Sequence, residues 1–271
     1  DKLGCRDALY LDGTLSQIDY RESGVWHRYG ATSWSGAAQF VASTLTLIMP
    51  DDSGVTYRTA LRSAPPSASS TSRDTINVVS LENYTRGVVA RESPSSWHAA
   101  ALRAQAVAAR TYGAQALHAS GYYDICDTTA CQVYGGVSAE TGATDAAVSD
   151  TASKILTYNG SPAFTQFSSS SGGYTNPGSQ PYLKAVSDPW DDWSGNANHS
   201  WTATLKATAI EAKYPSIGAL KELEVTKRNG YGDLGGRVLS VKLVGSNSST
   251  TISGTTARTA FGLRSDWFGF S

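Results

Sequence analysis

A stripe of small side chains between Trp97 and Ala119 constrains the fold of this chain more than any other feature. Leu102, Ala106, Ala109, Gly113 and Ala116 recur at helical spacing and line one face of a single helix. So little bulk lets a partner element lie very close, where many weak dispersion contacts add up. Ser96 can cap this helix and Ser120-Gly121 can stop it. Just upstream, Pro94 biases Ser93 away from helical dihedrals, so the chain should turn there. A preceding helix therefore ends at Glu92; it is capped by Ser80 and aligns Leu81, Tyr84 and Val88. Glu92, at the corner, is either a solvated helix end or a positioned acid or base. Gln105, Arg110 and Thr111 interrupt the apolar run of the long helix, either as satisfied core groups or as the wall of a site.

Around this helical pair the pattern changes to short strands. Thr44–Ile48, the turn at Asp51–Gly54 and Val55–Arg58 read as a strand, a turn and a strand. Ser63–Ser72, with Pro65-Pro66 and its serines, reads as a loop, and Thr75–Val79 as a strand. A helix over about Gly142–Ser153 leads into a hairpin, Ile155–Tyr158 and Ala163–Phe167, turned at Asn159-Gly160. Ser168–Gly173 then reads either as a flexible linker or as a turn that presents hydroxyl and N–H groups. The loop from Leu183 to Trp201 is acidic and aromatic; its indoles suit sugar faces or simply anchor the loop. A helix over Thr204–Lys213 and strands over Leu223–Lys227 and Arg237–Val244 close the chain. The expected class is α+β: a mixed or mostly antiparallel sheet packed around the 97–119 helix, with two lobes and a groove compatible with it. Residues 1–62 are expected to form a β-rich segment of the same globule as 63–271.

Composition removes several functions. With 22 basic and 23 acidic residues among 271, no electrostatic footprint for nucleic acid is visible. No apolar run approaches the roughly 20 residues of a membrane span. Charged residues make up only 17%, and the chain opens on Asp1-Lys2-Leu3, as a processed export product would. Four histidines, at 27, 98, 118 and 199, show no metalloprotease spacing, so no metal site is expected from them.

The motifs are more specific. Leu81-Glu82-Asn83-Tyr84, Gly87-Val88-Val89-Ala90-Arg91-Glu92-Ser93-Pro94, Trp97 and Leu102–Tyr112 resemble the SpoIID/LytB family of bacterial cell-wall proteins. Cys131-Gln132-Val133-Tyr134-Gly135-Gly136 and Ser169-Ser170-Ser171-Gly172-Gly173-Tyr174-Thr175 continue the resemblance, as do Pro181-Tyr182-Leu183 with Asp188 and the closing Gly236-Arg237-Val238 and Gly262–Ser265. The first 50 residues carry no part of this resemblance.

The resemblance implies an extracytoplasmic protein, secreted or wall-associated, that works on peptidoglycan glycan strands. Glycoside cleavage ordinarily uses two carboxylates, and the sequence offers Glu92 no evident partner, Asp127 and Glu140 being only neighbours along the chain. One carboxylate suffices in a lytic transglycosylase, where the substrate's own 6-hydroxyl is the nucleophile. Glu92 would then be the catalytic acid and base. The motif positions Gln105, Arg110, Gln132, Tyr134, Ser170, Ser171 and Tyr174 would bind the glycan. The alternative, implied by the LytB members, is a glycan-binding module that enhances a wall amidase. In an exported protein Cys126 and Cys131 are expected to form a disulfide. Zinc, found with some relatives at this place, is the weaker expectation, because two thiols make half of a tetrahedral site. Cys5 is left over.

Overall fold

A computed structural model describes residues 51–271 except Ala68, Thr71, Arg73 and 118–120, together with strands at Ala8–Tyr10, Asp19–Glu22, Val25–Arg28 and Ala38–Ile48. Helices and small, mainly antiparallel sheets alternate, so the class is α+β. The chain divides into two compact units, Asp1–Phe167 and Ser168–Ser271. No described helix is long and apolar enough to cross a membrane. Cys5 and His118 lie outside the described residues.

In the first unit, β1 (Ala8–Tyr10), β4 (Ala38–Ile48), β5 (Gly54–Ala64) and β6 (Asp74–Val78) form a sheet in the order β1-β4-β5-β6. β1 runs parallel to β4 and the other pairs are antiparallel. β2 (Asp19–Glu22) and β3 (Val25–Arg28) make a separate antiparallel pair. The β4–β5 turn forms where Asp51 accepts the Ser53 N–H at 3.1 Å and its hydroxyl at 2.6 Å. Both strands run well beyond the short segments read from sequence. β5 runs through residue 62 and pairs with β6.

The helices of this unit obey local chemistry at their ends. Ser80 caps α1 (Leu81–Glu92), its side chain accepting the Asn83 N–H. The helix stops at the expected corner: Ser93 turns extended, at φ −137° and ψ 133°, before Pro94. α2 (Ala99–Ala116) is capped by His98, whose Nδ1 accepts the Ala100 N–H at 3.2 Å. The expected cap, Ser96, falls too early, inside a turn closed by Trp97 N–H donating to the Pro94 carbonyl at 3.0 Å. α3 (Gly142–Asp150) begins with a Thr141–Thr144 capping box. β7 (Thr157–Tyr158) and β8 (Ser161–Pro162) form the hairpin around Asn159 and Gly160, both at positive φ. The returning pair is Ser161–Pro162; residues 163–167, expected as the returning strand, form none, because the chain peels away onto α2, where the Thr165 hydroxyl donates to the Ala108 carbonyl at 2.8 Å.

The small-residue stripe carries the packing. Tyr84, Val88 and Val89 of α1 meet Ala106 and Ala109 of α2 and Val148 of α3 in one buried cluster. A methyl group added at Gly113 would sit 3.0 Å from both Leu81 and Tyr84, so α1 and α2 approach as closely as the stripe suggests. Arg110 is 1% exposed within this packing. Its Nε and Nη2 donate to the two Glu82 oxygens at 2.9 Å each, and its remaining donors reach the Val148 and Lys154 carbonyls at 3.0 and 3.2 Å. Thr111 is also internal, donating to the Val107 carbonyl and accepting the Leu156 N–H.

The second unit is a three-stranded antiparallel sheet in the order β11-β10-β9, formed by β9 (Leu220–Arg228), β10 (Val238–Gly245) and β11 (Ser249–Ser253). α4 (Ala207–Lys213) and α5 (Gly254–Phe261) contribute Ile210 and Ala257 to a core completed by Ile217, Val238, Val241, Leu243, Leu263 and Phe268. β11 and α5 are additions to the sequence reading. Their signals are short: Ser253 caps α5 and Gly262 ends it at φ 66°.

The Arg110–Glu82 pair yields a stability prediction. Burial alone would raise the Glu82 pKa, but hydrogen bonds from Arg110 and the Ser153 N–H, with the charges of Arg110 and Arg86, hold it below the ordinary 4.5. A depressed carboxylate stabilises the fold fully above its ordinary value and loses that contribution as pH falls through the lowered one. Arg110→Ala is expected to cost about 3 kcal/mol in chemical denaturation and to flatten the acid limb of stability. An unchanged acid limb would contradict the assignment.

Candidate active site

The segment after the cysteines, Gln132–Gly136, lies along α1 and fixes its last turn. Gly135 N–H donates to the Gly87 carbonyl at 3.1 Å, and Val133 N–H donates to Glu92 Oε1 at 2.7 Å. Gly87 is what permits this contact, since a Cβ there would lie 2.5 Å from the Tyr134 ring. Glu92 is half-buried, and among the described residues no donor engages its second oxygen. The turn that delivers Val133 is closed by Tyr134 N–H donating to the Asp127 carbonyl at 3.1 Å. A disulfide joins Cys126 to Cys131 around that turn, with Cα atoms 5.6 Å apart, and in this form neither sulfur is a thiolate ligand.

Tyr134 is the middle member of a ring ladder, 6.1 Å from Tyr57 and 5.2 Å from Tyr84 between centroids. Its hydroxyl donates to Asn77 Oδ1, and the Asn77 amide in turn donates to the Arg58 and Ala60 carbonyls of β5 at 2.8 Å each. Burial raises the Tyr134 phenol well above its usual range and pushes Tyr84 up to about 12, where the charges of Glu92 and Asp127 add to the shift. Glu92 and Asp127 thus both act on Tyr84, while Glu140 is committed to Arg58 in an ion pair.

The residues expected to bind glycan divide into distinct environments. Arg110 lies inside the core, where its guanidinium donates to Glu82 and to backbone carbonyls. Gln132 is internal as well: it is 1% exposed, and its amide donates to the Tyr84 hydroxyl at 3.2 Å and the Ala109 carbonyl at 3.3 Å. Gln105 is half-buried, with an Nε2 that meets no partner among the described residues. Tyr134 is likewise half-buried, with its hydroxyl turned onto Asn77.

Ser170, Ser171 and Tyr174 belong to the second unit. The turn they form is closed on acidic side chains. Asp191, 8% exposed, accepts from the Ser170 hydroxyl at 2.8 Å, Ser171 N–H at 2.8 Å and Gly172 N–H at 3.0 Å. The Ser171 hydroxyl donates to Asp188 at 2.9 Å. His199 Nδ1 lies 2.7 Å from Asp191 Oδ2. Tyr174 stacks on Tyr231 at 5.3 Å. A cavity of about 1090 Å³ in this unit is lined in part by Ser170, Ser171, His199, Arg237 and Trp267. In the 183–201 loop, Trp190 and Trp193 are 81% and 54% exposed. Sequence reasoning missed Val133, whose contribution is a backbone N–H, and Asp191 with His199. The only signal for that pair in the sequence is a lone histidine after an acidic run.

Part of the chain, including Glu92 and the Gln132–Gly136 segment, is similar to known proteins. Residues 69–158 match the model of the SpoIID family, described as stage II sporulation protein. Over 134 residues the chain is 41% identical to a Bacillus subtilis protein named amidase enhancer, with 47% of this chain and 18% of that relative covered. It is 35% identical over 167 residues to stage II sporulation protein D of the same organism, covering 53% and 48%. With the stage II sporulation protein D of Bacillus amyloliquefaciens it shares 37% over 144 residues, covering 45% and 42%. The aligned part of this chain thus spans less than half the length of each of these curated relatives.

Opening the 126–131 ring tests how the site is braced. A Cys126→Ser/Cys131→Ser chain is expected to lose about 2 kcal/mol of stability, from the added freedom of its unfolded state. Amide exchange of Val133 should quicken more than that of the α2 core. Equal exchange at both places would show that the ring does not brace the Glu92 contact.

Proposed function

We propose that this chain cleaves peptidoglycan glycan strands as a lytic transglycosylase, with Glu92 as both acid and base. The observation that carries the reading is Glu92 itself. Its carboxylate stands at the proline-terminated end of α1, one oxygen is pinned by the Val133 N–H, and the Gln132–Gly136 segment is packed against the same helix. A carboxylate so held meets the positional demand of acid–base catalysis. In the first half of the reaction the protonated Glu92 gives its proton to the oxygen joining N-acetylmuramic acid to N-acetylglucosamine, and the C1–O bond breaks. In the second, the Glu92 carboxylate accepts the proton of the muramic 6-hydroxyl as O6 bonds to C1. The acid is regenerated, a 1,6-anhydro end forms, and no water is consumed. No cofactor enters the scheme. The setting would be outside the cytoplasm, where the substrate lies and a disulfide persists.

A second reading is favoured by one comparison. The relative named amidase enhancer suggests a glycan-binding module that assists a wall amidase, in which Glu92 would accept hydrogen bonds from sugar hydroxyls.

The two readings separate on purified glycan strands, with and without stem peptides. The catalytic one predicts anhydro-muramic ends by mass spectrometry, reduced at least about a hundredfold in Glu92→Gln with glycan binding retained. Binding without cleavage by the native chain would leave the module reading in its place.

A further inference from the structure

The Ser170–Gly173 turn is held by a charged pair for which the cleavage chemistry has no direct use. Gly172 and Gly173 sit at φ 72° and 97°, a backbone form that glycine adopts without strain. In that form the N–H groups of Ser171 and Gly172 converge on one carboxylate, Asp191. The Ser170 hydroxyl reaches both Asp191 oxygens, at 3.0 and 2.8 Å, and Asn196 ties that hydroxyl to the Asp191 carbonyl. All of these donors to the Asp191 carboxylate are backbone or hydroxyl groups. The remaining partner, His199, can carry charge.

We propose that Asp191 and His199 form a positioning pair that fixes the Ser170–Gly173 turn in its glycan-binding form, with His199 acting most strongly as an imidazolium. This rests on the reading that the chain takes glycan. His199 Nδ1–H donates to Asp191 Oδ2 at 2.7 Å, and its Nε2 lies 3.6 Å from Asp192. A position 3.7 Å from its ring is where a Gly173 Cβ would stand, so the imidazole also backs the turn. The charged groups around it are Asp191 and Asp192 of its own loop and Asp233 of the neighbouring turn, all acidic. Two cations that line the same cavity are engaged elsewhere. Arg264 donates to Asn198 and the Ala197 carbonyl, and Arg237 donates to Asp266 and the Ser171 carbonyl.

These surroundings set the sign of the pH effect. The Asp191 hydrogen bond, opposed by burial and aided by the charges of Asp192 and Asp233, raises the His199 pKa above its ordinary 6.5. A raised histidine contributes fully below its ordinary value and loses that contribution as pH rises through the raised one. The neutral ring can still donate from Nδ1. The turn therefore loosens on the alkaline side without losing its hydrogen bond.

The test measures glycan-strand affinity of the full chain between about pH 5 and 9, beside NMR titration of the His199 ring and of the Ser171 and Gly172 amide protons. Affinity should fall about tenfold along a limb whose midpoint matches His199, a loss of the size expected when a charge-assisted hydrogen bond becomes a neutral one. The two amide protons should shift with the same midpoint. His199→Gln can donate to Asp191 but cannot titrate, so it should abolish the limb and hold affinity near the native alkaline-side value at every pH, its hydrogen bond being a neutral one. His199→Ala should bind weakly at every pH. A limb that survives in His199→Gln, or amide protons indifferent to His199 titration, would overturn the pair's role. If the native chain neither binds nor cuts glycan, the proposed function fails, and the amide titration still decides whether the pair grips the turn.

Discussion

The site in the first unit depends on how closely α1 and α2 can approach. Ala106, Ala109 and Gly113 present so little bulk that Leu81 and Tyr84 settle directly on the α2 backbone. That contact fixes the axis of α1, and Glu92 stands at its end. Gly87 repeats the device on the other side of α1, admitting Tyr134 and hence the N–H of Val133. A bulkier residue at either glycine would move the helix or the segment, and the carboxylate would move with it.

Polar groups in both units serve position before they serve a ligand. Arg110 spends its guanidinium on Glu82 and on the carbonyls of Val148 and Lys154, locking three helices together from inside. Gln132 links the Tyr84 hydroxyl to the α2 backbone. In the second unit Asp191 gathers the donors of a glycine-bearing turn. Leaving any of these buried groups unpaired would cost more than the pairing contributes in net terms, which is why such residues look functional in a motif while acting through others.

The helix–corner–helix arrangement is legible in the sequence because its causes are local. Ser80, Pro94 and the spacing of small residues act within a few positions of themselves. Ser96 looks like the cap of α2 but is not, because the Pro94–Trp97 turn decides where the helix begins. Arg110 and Gln132 look like ligand contacts because nothing local shows where their donors go: Glu82 lies 28 residues from Arg110, and Tyr84 lies 48 from Gln132. Asp191 escapes notice for the same reason, its Ser170 partner being 21 residues away. The reach of β4 and β5 exceeds what local propensity marks, because β6, beyond the serine-rich loop, pairs with the end of β5, and β4 pairs along β5 in turn.

A single pinned carboxylate with a nucleophile supplied by the sugar makes a claim about where the new oxygen comes from. Digestion of glycan strands in water enriched in oxygen-18 reads this directly. The account predicts anhydro-muramic ends that carry no heavy oxygen. Reducing muramic ends labelled with one heavy oxygen would mean that water attacked C1, and would contradict it.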